Sequence, residues 1–219
     1  MKYDPFARGP HPVGVQSREL HDASRDGRRV EIELWYPASV VHLGQDVSPQ
    51  LQDRYSLYGA ANLSQDAVRD ATPEPGAFPL VVFSHGMAGH RRQSTFVCTH
   101  LASHGYVVAS PDHGGNSLAD LMALALRIRA QQVPADIEQI IQGYVFDRPR
   151  DVRLILDARD DGRLALPSVS TTPAAVAGHS FGGFTALVVA GSDPRVRCVL
   201  ALAPAGGPGP LAGGNAAGR

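Results

Sequence analysis

The residues best suited to do chemistry in this sequence are Gly178-His179-Ser180-Phe181-Gly182, a GxSxG run. An apolar stretch, PAAVAG, leads into it, and FGGFTALVVAG follows as a helix candidate. A strand that turns directly into a helix holds its turn residue in strained backbone geometry. It also brings neighbouring backbone so close that only glycine fits two positions to either side. The Ser180 hydroxyl would then stand at a helix N-terminus, where developing negative charge is favoured. That is how a serine nucleophile for acyl transfer is presented. Gly183 would ease the packing of helix on sheet. The competing reading is a glycine-rich helix start with Ser180 as its cap.

An attacked carbonyl needs donors for its oxyanion. One is the backbone N–H of the residue after the nucleophile, which is Phe181. The other comes from the loop after a neighbouring strand. Here PLVVFS ends in Ser84-His85-Gly86-Met87, which assigns the second donor to the N–H of Met87. Backbone donors are fixed before reaction, and losing one typically costs ~2.7–4 kcal/mol of transition-state stabilisation. His85 fits a hydrogen-bonded loop anchor better than a base.

These groups need a scaffold. PLVVFS, YVVAS, PAAVAG and VRCVLALAP are short apolar runs, as expected of strands buried on both faces. Helical stretches separate them, from about Gln93 to Ser103, Leu118 to about Gln132, and Pro134 to Arg159, the last with an expected break between Gly143 and Pro149. Strand alternating with helix predicts an α/β fold with a mostly parallel sheet and helices on both faces. Ahead of this core, Val30, Ile32, Leu34 and Tyr36 alternate with Glu31, Glu33 and Trp35. That period predicts an antiparallel edge hairpin with one partly wet face. Residues 38–76 are polar and proline-containing and read as an irregular insertion. Residues 1–204 form the predicted core. The tail, 205–219, is rich in Gly, Pro and Ala and predicts disorder. Leu118, Leu121, Met122, Ala125 and Ile128 share one helical face, which predicts core packing ahead of a lid or lipid contact.

Composition bounds the function. The chain has 219 residues, with Lys plus Arg at 20 and Asp plus Glu at 21, for a net charge of −1. Such a balance gives no electrostatic footprint for a nucleic-acid partner. Cys98 and Cys198 form no CxxC pair, so no zinc or redox motif is present, and both read as small buried hydrophobes. The N-terminus has no apolar signal region and no apolar run reaches the length of a membrane span, so a soluble cytoplasmic protein is expected.

PLVVFSHGMAGHRRQSTFVCTHLASHGYVVASPDHGGNS, DRPRDVRLILDA and AGHSFGGFTAL together resemble the α/β-hydrolases of the platelet-activating factor acetylhydrolase and dienelactone-hydrolase-like group. GPHPVGV and LWYPAS fit the first strands of the same group, so the resemblance runs from about residue 9 to residue 204. It implies the α/β-hydrolase fold and a serine esterase without metal or cofactor, acting on a small-molecule or lipid ester through an acyl-Ser180 intermediate. Ser180 stands where dienelactone hydrolases carry cysteine.

The sequence departs from that group in one respect. A serine needs a base, and the base needs an orienting acid. In this fold their chain order is Ser, acid, His. All nine histidines (11, 21, 42, 85, 90, 100, 104, 113 and 179) lie before Ser180, and Asp193 is the sole acid after it. The expectation is therefore a truncated hydrolase core lacking its last two strands, with the triad acid and base missing. It could be inactive and at most bind esters, or need a partner chain to complete the site. His179 diverges from its neighbour Ser180 on a tight turn. The implied strand order 1-2-4-3-5-6 puts His113 two strands, or ~10 Å, from the elbow strand. An apolar last strand left at an edge also predicts self-association there.

Overall fold

The computed structural model describes residue 4 and residues 6–57, 60–130, 137–166 and 168–205. The expected disorder of the tail concerns residues that, from 206 on, lie outside this set, as do the segment ends placed at Gln132 and Pro134.

Strands β1 (Val13–Asp22) and β2 (Arg28–Pro37) pair antiparallel, Val13 opposite Pro37 and Asp22 opposite Arg28. The connecting turn takes φ of 51° at Asp26 and 71° at Gly27, left-handed values that glycine adopts freely. As the alternation predicts, Val30, Ile32, Leu34 and Tyr36 are buried. The second face is wet only at Glu31, which is exposed, while Glu33 and Trp35 are buried. Helix α1 (Thr95–Ser103) covers that face, and the Trp35 indole N–H donates to Gln65 Oε1 at 2.8 Å. Nor is β2 near the sheet edge, because β1 and a short further strand lie outside it.

That further strand corrects the reading of residues 38–76 as irregular. The segment contains a hairpin of β3 (Asp53–Leu57) and β4 (Ala60–Gln65), then β5 (Val68–Arg69), which runs parallel to β1. Polar side chains hold it, so no hydrophobic period announced it. Gln65 Nε2 donates to Asp53 Oδ2 at 2.6 Å, and Arg69 bridges Asp53 and Glu33 at 2.7 Å each.

The parallel part comprises β6 (Leu80–Ser84), β7 (Val107–Pro111), β8 (Ala174–His179) and β9 (Val196–Leu202). The sheet order is β5-β1-β2-β7-β6-β8-β9. Without β5 this is the expected 1-2-4-3-5-6. Successive residues of a strand face opposite sides, and β6 divides its apolar residues accordingly. Val81 and Phe83 pack with Val108, Cys98 and Ala102 on the α1 side. Leu80 and Val82 pack with Val152 and Ile155 of α3 (Ile137–Asp160) and with Ala186 and Val189 of α4 (Phe181–Ala190) on the other.

Three further expectations are corrected. Helix α3 runs unbroken through Pro149. The missing N–H there costs a bond to Val145, but Arg148 and Asp151 beside it are anchored in the interior, as described below. Helix α2 (Leu118–Arg129) buries none of its residues, and Leu118, Met122 and Ile128 are exposed, so its apolar stripe is not core. A capping box of Ser117 and Asp120 starts this helix. Cys98 is buried as expected, but Cys198 is exposed on β9, whose outer edge has no partner among the described residues.

Candidate active site

Ser180 follows β8 and caps α4 with φ 54° and ψ −120°. A non-glycine residue in this region carries strain of ~1–3 kcal/mol and persists only where its surroundings impose it. The surroundings here are backbone. A Cβ on Gly178 would meet the Gly182 carbonyl oxygen at 2.2 Å, and one on Gly182 would meet the Ser84 carbonyl oxygen at 1.9 Å. Both elbow glycines are thus required by close approach. Ser180 N–H donates to Leu202 O at 2.9 Å, and Ser180 O accepts from Phe184 N–H at 3.2 Å and Ala205 N–H at 3.0 Å. The turn is fixed from β9 and from its own helix.

The loop after β6 faces the elbow. Gly86 N–H donates to Gln93 Oε1 at 2.9 Å, and Gln93 Nε2 lies 3.4 Å from His179 Nδ1. The His85 ring is fully buried, with Nδ1 2.7 Å from Gly86 O and Nε2 accepting the His113 N–H at 3.2 Å. These partners assign the Nδ1–H tautomer. Burial, then the nearby His113 and Arg148, hold His85 well below its ordinary pKa, so it stays neutral. Because a trans peptide points its C=O and N–H in opposite directions, pulling Gly86 O in toward His85 turns the Met87 N–H away from the interior. No described residue accepts a hydrogen bond from the amide of Met87 or of Phe181.

The fold does not bring a base to Ser180 from His85, His113 or His179. His179 is exposed beside Gln93. His113 is fully buried, with Nε2 2.9 Å from Ser84 Oγ and Nδ1 3.0 Å from Asp151 Oδ2. Burial, then the Arg148 charge, pushes its pKa down to about 4. Asp193 pairs with Arg195 in the turn that precedes β9, at the opposite edge of the sheet from Ser180.

Sequence reasoning missed the group beneath the site. Asp151 accepts from His113 and pairs with Arg25 at 2.7 Å and Arg28 at 3.1 Å. These partners outweigh its own burial and hold its carboxyl at about 2. Arg148 donates to Ser84 Oγ at 3.1 Å, to His85 O and to Asn116 Oδ1, and its guanidinium lies 4.8 Å over the Phe181 ring. The available signal was charge at helical spacing: Arg148 and Asp151 are three apart on α3, so they share its inward face. Among the described residues no cluster of three or more His, Cys, Asp or Glu could hold a metal ion, and no helix is long and apolar enough to cross a membrane.

Comparison with known proteins places this geometry. Among solved structures, a ferulic acid esterase from Streptomyces cinnamoneus superposes with a TM-score of 0.61 at 26% identity, covering 87% of this chain and 59% of the esterase. A dienelactone hydrolase-like promiscuous phosphotriesterase from metagenomic libraries, 18% identical with a TM-score of 0.50, covers 87% of this chain and 60% of its own, and shares the fold. The fold is that of the α/β-hydrolases. The platelet-activating factor acetylhydrolase of Gallus gallus is 26% identical over 90% of this chain and 59% of its own length. That of Canis lupus familiaris is 30% identical over 57% of this chain and 34% of its own. The chain thus spans between about a third and three fifths of these curated relatives. Residues 21–144 match the family model described as platelet-activating factor acetylhydrolase, isoform II. More than half of the sequence is matched, from the hairpin past the loop that faces the elbow, and on that ground the chain belongs to the platelet-activating factor acetylhydrolase isoform II family.

Proposed function

We propose that this protein is a carboxylic ester hydrolase that takes short acyl esters through an acyl-Ser180 intermediate. The amides of Met87 and Phe181 bind the oxyanion in this reading. The observation that carries it is Ser180 itself, held at φ 54° by glycine-only contacts, with the amides of the adjacent Phe181 and of Met87 both without an acceptor in the described chain. Strain at a partly exposed serine followed by an amide without an acceptor in the described chain is poorly explained as scaffold. Family membership and the esterase neighbour support the ester as substrate class. The hydroxyl attacks the ester carbonyl, charge develops on the carbonyl oxygen toward the two amides, the alcohol leaves, and water releases the acid.

In this reading a general base takes the hydroxyl proton and returns it to the departing alcohol, and among the described hydrogen bonds His85, His113 and His179 are engaged with other groups than Ser180. The engagement of both His113 ring nitrogens favours a second reading. In it the chain binds esters and turns them over only with a partner that supplies the base. The experiment is labelling with a fluorophosphonate, mapped by mass spectrometry, together with hydrolysis of a short-chain nitrophenyl ester by the chain and its Ser180→Ala variant. Adduct at Ser180 and a Ser180-dependent rate support the hydrolase. Ester binding with a rate equal in both proteins supports the second reading, and adduct at another serine removes Ser180 from both.

A further inference from the structure

Arg148 is the cation this interior has least reason to hold. It is about 1% exposed, and buried arginines are ordinarily matched by a carboxylate, because desolvating the charge is costly. Here its hydrogen bonds go to neutral acceptors: Ser84 Oγ at 3.1 Å, the His85 carbonyl and the Asn116 side-chain carbonyl. Its Nε is buried without a partner among the described residues. Asp151, one turn further along α3, is committed to His113, Arg25 and Arg28. Burial accordingly pushes the guanidinium down to about 9, which still leaves it charged at neutral pH.

The acceptors are informative as a set. Ser84 ends β6 and His85 begins the loop that leads to Met87. Asn116 lies in the loop between β7 and α2. Phe181, whose ring lies under the guanidinium at 4.8 Å, is the residue after Ser180. One planar fork touches three loops at the carboxyl edge of the sheet, including both that carry a candidate oxyanion donor. We propose that Arg148 is a positioning residue that locks the Gly86–Met87 and Ser180–Phe181 segments into one geometry and sets a fixed positive charge against both. This rests on the assignment of Ser180 and the two amides made above. A guanidinium suits the task because its planar donors fix direction as well as distance, and a charge in a low-dielectric interior acts on a developing oxyanion without reorganising.

The test uses the full chain with Arg148→Ala and Arg148→Lys. Residue-resolved hydrogen exchange reads the bonded amides of the two segments, Gly86, Gly89, Ser180 and Phe184, against β2 as reference. In Arg148→Ala these four amides should exchange at least about tenfold faster with β2 unchanged, as for a local opening, and free guanidinium should restore protection. Arg148→Lys should show a smaller rise confined to the same amides, and decides the matter if Arg148→Ala does not fold. For Ser180-dependent ester hydrolysis, kcat should fall about 100-fold with KM little changed. Exchange that rises equally in β2, or rises in neither segment, overturns the positioning role. A parent chain without Ser180-dependent turnover strikes the hydrolase reading instead, and the exchange pattern still decides what Arg148 does.

Discussion

Two serines in this molecule stand at ends of neighbouring parallel strands, and they have opposite equipment. Ser84, at the end of β6, has the hydrogen-bond series of a resting triad. With His113 Nδ1–H donating to Asp151, Nε2 is left to accept the Ser84 hydroxyl, at 3.0 and 2.9 Å. Ser180, at the end of β8, has no such series among the described residues. Yet Ser84 and His113 are fully buried, and the Ser84 hydroxyl also accepts from Arg148. Ser180 is partly exposed and strained, and the amide of Phe181 that follows it has no acceptor among the described residues. The contrast separates two things that a triad combines. Bond order along Ser-His-Asp can serve as internal cement. Reactivity toward an ester needs access and donors at the oxyanion position.

If the Ser84 relay is cement, removing its anion should do the largest damage. Asp151→Ala leaves Arg25, which is only 7% exposed, facing a void together with Arg28 and His113. Breaking one side of a buried ion pair costs ~3–5 kcal/mol. Urea unfolding should show a loss of that order. A loss below ~1 kcal/mol would mean that the relay does not hold the fold, and the contrast with Ser180 would dissolve.

Acidification should act next, through the same relay. The unfolded His113 takes up its proton near pH 6.5, whereas the buried one does so only near pH 4. Between those values the unfolded chain binds more protons, so stability falls as pH is lowered from about 6.5 to about 4 and levels off below for this group. The shift is worth up to ~3 kcal/mol. His85, depressed in the same direction, adds to the loss. Asp151, held at about 2 against an ordinary 3.8, contributes stability that disappears at still lower pH. Urea midpoints measured at intervals from pH 7 to pH 3 check this. A flat profile above pH 4 would show that these imidazoles protonate freely in the folded chain.

The smallest effect discriminates most sharply, because the two serines should differ in sign. Ser180→Gly relieves a φ of 54° and should raise stability by ~1 kcal/mol or less. Ser84→Ala strands His113 Nε2 and one donor of Arg148 and should lower it by ~1–3 kcal/mol. Thermal or urea unfolding of the pair reads both. Ser180→Gly less stable than the parent would mean that its strain is not relieved by glycine, and the functional argument from strain would weaken.

The sequence by itself determined the elbow and the scaffold. Gly178, Ser180 and Gly182 could be read because backbone collisions are local and leave one permissible residue type. The buried strands could be read because a strand covered on both faces must be apolar throughout. Tertiary structure alone decided the rest. Glu33 reads as a solvated alternate position, yet it is buried because Arg69, Arg91 and Arg92 arrive from distant segments to neutralise it. Pro149 reads as a helix break, yet α3 passes through it, since the buried contacts of Arg148 and Asp151 outweigh one lost backbone bond. The α2 stripe reads as core, yet its periodicity says which face is apolar and not what lies against that face. His113 reads as a distant stand-in base, and its actual partners, Ser84 and Asp151, are 29 and 38 residues away in the chain. Pairings of that kind depend on which strands become neighbours, and no local pattern of residues encodes a partner brought in from elsewhere in the fold.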